Sequence, residues 1–126
     1  MLWKNILLVA LGGSLGSVAR YLSHKYITNF SSHPFPTGTF IINITGCLLI
    51  GLIYGLSVKH NYLTIELRFF LMTGFCGGFT TFSAFTLEGM GLLQQQRVFL
   101  FLLYFAASVF IGLAATFLGY WIASKM

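Results

Sequence analysis

Gly74-Phe75-Cys76-Gly77-Gly78-Phe79-Thr80-Thr81-Phe82-Ser83-Ala84-Phe85 lies inside an apolar stretch that runs from residue 67 to residue 93. A stretch of that length crosses a bilayer as a helix. Three glycines followed at once by three hydroxyl residues are a poor continuous helix, because each interior glycine costs about 1 kcal/mol relative to alanine. Freed backbone groups cannot be satisfied by hydrocarbon, so such a segment must face protein or a water-filled path. The sequence therefore predicts a span broken near residues 75–82. Close packing of helices through small residues is the plainer use of glycine in membranes. Packing alone does not explain Phe82 and Phe85 three residues apart among Thr81 and Ser83. A broken helix lining an ion path does.

The rest of the chain places this segment in a membrane. It has 126 residues, of which 57% are hydrophobic and 7% charged, whereas roughly a quarter of the residues of a soluble domain are charged. Four spans are expected, at about residues 4–23, 38–57, 67–93 and 98–122, forming a single all-α membrane domain with no room for a soluble one. Lys4 and the apolar residues after it could open a signal peptide, but three further spans favour a membrane anchor. Residues 23–37 carry His24, Lys25, Asn29, His33, Pro34 and Pro36 and read as a loop. His60 falls in a second polar loop, and all three histidines are expected in solvent. Trp3 and Trp121 fit interfacial anchors. Cys47 and Cys76 read as small apolar side chains. The net charge of +5 is spread singly along the chain, which excludes a nucleic-acid-binding patch.

With four spans, Lys4, Lys59, Arg68 and Lys125 share one side of the membrane and Arg20, Lys25 and Arg97 the other. Orientation follows such counts, and four against three is almost no bias. Two copies in opposite orientations would reproduce the inverted repeats of larger transporters.

Along the second span, Thr39, Asn43 and Gly46 recur at helical spacing. Along the fourth, Tyr104, Ser108, Gly112 and Thr116 stand four residues apart, a polar or small stripe on an otherwise apolar helix. Hydroxyl and amide donors can replace the water lost by a small anion. A phenyl ring adds a positive edge without a full charge that would trap the ion. With 14 phenylalanines in the chain, ordinary packing is the default for most, and position promotes only Phe82 and Phe85.

Three motifs carry a resemblance. Residues 12–21 (GGSLGSVARY), residues 36–46 (PTGTFIINITG) and residues 74–85 with Glu88 are together similar to the Fluc (CrcB) fluoride channel family. The resemblance implies a passive fluoride exporter of the cell membrane that confers fluoride resistance. It implies a dual-topology antiparallel homodimer with two pores and a central structural sodium ion. It makes Phe82 and Phe85 the aromatic box for fluoride, with Asn43 beside it. Ser83, Tyr104, Ser108 and Thr116 become the polar track, and the backbone carbonyls of Gly77 and Thr80 the sodium ligands. The chain departs from the family pattern at Gly112, where relatives often carry a further hydroxyl.

Arg20 and Glu88 are ionisable groups within spans, which marks them for function. Arg20 either snorkels to the interface or attracts anions in a vestibule. Glu88 would repel an anion unless neutralised, so a structural or vestibule role is expected. The alternative from another class is a small four-span, dual-topology multidrug exporter, whose mechanism needs a carboxylate in the first span. This chain has none there. Enzyme chemistry lacks a nucleophile–base pair or metal-ligand cluster.

Overall fold

A computed structural model describes residues 1–59, 61 and 63–126, and the expectation for His60 lies outside them. The described residues are all-helical: α1 (Leu2–Asn29), α2 (Thr37–Lys59), α3 (Ile65–Arg68), a π-helical segment Phe69–Cys76, α4 (Gly77–Phe79), α5 (Phe82–Gln94) and α6 (Val98–Lys125). Four stretches are long and apolar enough to cross a membrane: α1, α2, the composite Ile65–Gln94 and α6.

α1 runs six residues beyond the expected end of its span, so His24, Lys25 and Asn29 are helical and the loop is confined to residues 30–36. Nothing between residue 23 and Pro34 forbids a helix, and adding a residue to an existing helix costs little compared with nucleating one. Thr28 Oγ1 bonds back to the His24 and Lys25 carbonyls at 2.8 and 3.1 Å. At 28 residues α1 is about 42 Å long, so one end projects past a hydrocarbon core of roughly 30 Å.

The third span breaks, but beyond its glycines. Gly77 has φ −63° and ψ −37°, ordinary helical values, whereas Thr80 and Thr81 are extended, with ψ 157° and 121°. Gly74 and Gly78 serve close approach to α1 instead. A Cβ on Gly12 would collide with the Phe70 carbonyl and one on Gly16 with the Phe75 carbonyl. α1 thus lies backbone against backbone along the π segment and α4, the mode of contact small residues allow in membranes. On the far side α2 and α6 pack likewise, Gly51 against the Thr116 carbonyl and Gly119 against the backbone of Leu48 and Leu52.

Helix ends are capped where the sequence offers hydroxyls. Thr64 accepts from the Leu67 N–H at 3.2 Å and Thr81 from the Ala84 N–H at 3.2 Å, each satisfying a donor that a helix start leaves free. The buried core is small and aromatic: Phe85, Leu92 and Tyr104, flanked by Phe35, Phe40 and Phe105 among others. Most large apolar side chains of α1 and α6 are exposed, Trp3 and Trp121 among them. Only 11% of the most apolar window of either helix is buried, so the outer faces meet lipid. At one membrane face Lys4 pairs with Glu66 at 3.2 Å and Lys59 donates to the Ser124 carbonyl.

Candidate ion path

The break in the third span is held by one side chain. Asn43, half-buried on α2, accepts from the Thr81 N–H through Oδ1 at 2.8 Å and donates from Nδ2 to the Thr81 carbonyl at 3.1 Å. An asparagine amide has both a donor and an acceptor, so it replaces the two backbone partners a helix would supply. Gly46, one turn further along α2, leaves room for the Thr80 methyl, into which any Cβ would collide. The spacing of Asn43 and Gly46 is thus a fitted seat for Thr80 and Thr81.

This clamp has an electrostatic consequence. In a continuous helix the Thr81 N–H would bond the Gly77 carbonyl and the Ala84 N–H the Thr80 carbonyl. Here the first goes to Asn43 and the second to the Thr81 hydroxyl. Two carbonyls at membrane depth lose their helical partners, those of Gly77 and Thr80. Arg20 Nη1 reaches the Thr80 carbonyl at 3.4 Å, which leaves that oxygen a second lone pair.

Asn43, Phe82, Phe85 and Ser108 line one open cavity of about 470 Å³, together with Gly77 and Thr80. The two phenylalanines differ within it. Phe82 is 76% exposed and Phe85 6%, the latter edge-on to Tyr104 at 5.0 Å and against Phe105 at 4.3 Å between centroids. Their own rings lie 5.8 Å apart.

Ser83, Arg20 and Glu88 line an adjacent cavity of about 520 Å³ on the other side of Thr81. Glu88 is held by hydroxyls rather than a cation: Thr39 Oγ1 donates to Oε1 at 2.5 Å and Tyr104 Oη to Oε2 at 3.2 Å. Thr39, 2% exposed, is a site residue the sequence reading left on a polar face without a role. Its signal was the spacing Thr39, Asn43, which aligns the two on α2.

The α6 stripe does not stay together. Ser108 faces the first cavity. Tyr104 is fully buried and bonded to Glu88, and Thr116 bonds the Gly112 carbonyl at 3.1 Å in the α2 contact at Gly51. Gly112 is buried with Cys47 Sγ at 3.4 Å from the position of a Cβ. Cys76 is buried too and both cysteines are free. No group of three or more His, Cys, Asp or Glu among the described residues is placed to hold a metal ion.

Residues 7–120 match the family described as CrcB-like protein, Camphor Resistance (CrcB). The chain is similar to the fluoride-specific ion channel FluC of Flavobacterium psychrophilum, with 50% identity over 98% of this chain and 99% of the relative. It is also similar to FluC of Azobacteroides pseudotrichonymphae, 43% identical over 93% and 94%, and to FluC 2 of Rhodococcus jostii, 44% identical over 95% and 99%. Four spans and end-to-end similarity to channel proteins make this a multi-pass protein of the cell membrane. With its motifs, broken span and family match in agreement, the chain belongs to the CrcB family.

Proposed function

We propose that this chain is a fluoride-specific ion channel that lets the ion leave the cell passively, and that it performs no catalysis. The observation that carries this function is the Thr80–Thr81 break, clamped by Asn43 and walled by Phe82 and Phe85, in a chain similar from end to end to proteins named fluoride channels. The cavity at the break offers what a small, strongly hydrated anion needs: ring edges, the Ser108 hydroxyl and the Asn43 amide, with no fixed cation to trap it. Arg20 stands back from that cavity in the adjacent one, where its charge draws anions inward. Ser83 continues the donors toward Arg20, and Tyr104 acts through Glu88 by fixing the carboxylate away from the ring edges. Thr116 sits in the α2 contact, outside the cavity that Ser108 lines.

The working unit is an antiparallel homodimer with two pores. Phe82, exposed in a single chain on the wall of a wide-open cavity, fits a surface that a second copy covers. The near-even distribution of cations supports insertion in both orientations. The freed Gly77 and Thr80 carbonyls suit a sodium ion at the two-fold axis, two oxygens from each protomer, because carbonyl rings replace the water of a hard monovalent cation. Bound there, sodium would supply a fixed charge that ties the two breaks together.

Fluoride efflux from liposomes containing the purified chain, read with a fluoride electrode, tests the function. The sodium site makes a separate prediction. An ion that binds only the assembled state stabilises it by mass action, so replacing sodium on both sides with a large organic cation should shift the dimer toward monomer and lower flux. A dimer equally stable in both media, with no cation density between the Gly77 and Thr80 carbonyls, would remove sodium from the account.

A further inference from the structure

His24 is exposed, as expected, but it is helical and not in a loop. It is on α1, one turn beyond Arg20, and lines two cavities at once. The inner one, about 520 Å³, also holds Arg20, Ser83 and Glu88. The outer one, about 380 Å³, is lined by His24, Thr28, His33, Glu88 and Gln95 among others. His24 and Glu88 are the two residues common to both linings, so they mark the passage from the membrane surface to the break. The imidazole lies on the backbone of Gly38, where a Cβ would stand 2.8 Å from Cδ2 and 3.1 Å from Nε2. Glycine at that position is what lets the ring fold over the mouth.

The charges facing this ring are few. Arg20 and Tyr21 come from α1, Glu88 from α5 and His33 from the loop, while α2 contributes the uncharged Thr37, Gly38, Thr39 and Ile42. Arg20 and Glu88 cancel in formal charge. The state of His24 then decides whether the vestibule is neutral or positive. His33 lines the outer cavity alone, its Nδ1 accepting the Phe35 N–H at 3.2 Å in the loop turn. Histidine is the side chain whose ordinary titration falls between pH 5 and 8, and a positive cleft raises the local concentration of anions.

We propose that His24 is the anion-admitting residue of the vestibule: its imidazolium gives the passage between the two cavities a net positive charge and speeds fluoride into the channel as the adjoining solution becomes acidic. This rests on the fluoride-channel function above.

The experiment is fluoride flux through the full-length protein in liposomes at pH 7.5 and 5.5, with leak through protein-free liposomes subtracted at each pH. Wild type should conduct faster at the lower pH, by about threefold, well within the roughly 10–10³ that a fully charged cleft supplies. His24→Gln should flatten that ratio to one, and His24→Lys, with a permanent charge, should be fast at both pH values. His33→Gln should keep the wild-type ratio. A pH response that survives in His24→Gln, or none in wild type, overturns the role of His24 and leaves the channel intact. Absence of fluoride flux from wild type at both pH values overturns the channel function itself, and the inference with it.

Discussion

Phe82→Ile should lower fluoride flux about fivefold while leaving the protein folded and assembled. Phe82 is 76% exposed in the single chain, so isoleucine costs little of the protomer's own packing. What it removes is the positive ring edge. Loss of one such contact in the transport barrier is worth about 1 kcal/mol, and each tenfold in rate corresponds to about 1.4 kcal/mol. Phe85→Ile should reduce flux at least as far, with a second effect. Phe85 packs edge-on to Tyr104, which in turn holds Glu88, so its loss also loosens the core, at a typical cost of about 1–3 kcal/mol. Flux and size-exclusion profiles of the two variants separate these effects. Wild-type flux in Phe82→Ile would sink the aromatic-edge mechanism.

Biasing insertion should abolish conduction outright. Cation counts set the orientation of short-looped membrane proteins, and this chain carries four against three. Two lysines added beside Lys59 should drive nearly every copy to one orientation. An antiparallel dimer cannot form from such copies, so flux should be lost. Co-expression with a chain biased the other way, by two lysines beside Lys25, should restore it. Cysteine labelling of the two loops, with flux for each chain and for the pair, is the measurement. Full flux from a chain labelled from one side only would refute the inverted dimer.

The spans could be read because four long apolar stretches have few other fates, and the broken third span because three glycines beside three hydroxyls fit no lipid-facing helix. The break at Thr80 and Thr81 falls inside the expected residues 75–82, but the glycines within that window are not what makes it. Glycine either frees the backbone or lets two backbones touch, and nothing within residues 74–78 distinguishes the uses. Only the contacts of α1 show that Gly74 and Gly78 do the second, leaving the break to Thr80 and Thr81, the latter's N–H and carbonyl bonding Asn43. The π-helical turn before it has no signature either, being a shift of hydrogen-bond register and not of composition.

Among the site residues, Asn43, Phe82, Phe85 and Ser108 could be gathered from motif and spacing, and the structure brings them to one cavity. Tyr104 and Thr116 show the limit of a four-residue stripe. Twelve positions along a helix span about 18 Å, so residues on one face meet different surroundings: Tyr104 the aromatic core, Thr116 the α2 contact. His24 was obscured by the prolines downstream, which end the polar segment but do not begin it.

The most direct measurement of the central claim is efflux of fluoride and of chloride from liposomes loaded with each ion and holding the purified wild-type chain. Electrode traces should show rapid fluoride release with chloride retained at the level of protein-free liposomes. Equal release of both ions, or release of neither, would contradict a fluoride-specific channel.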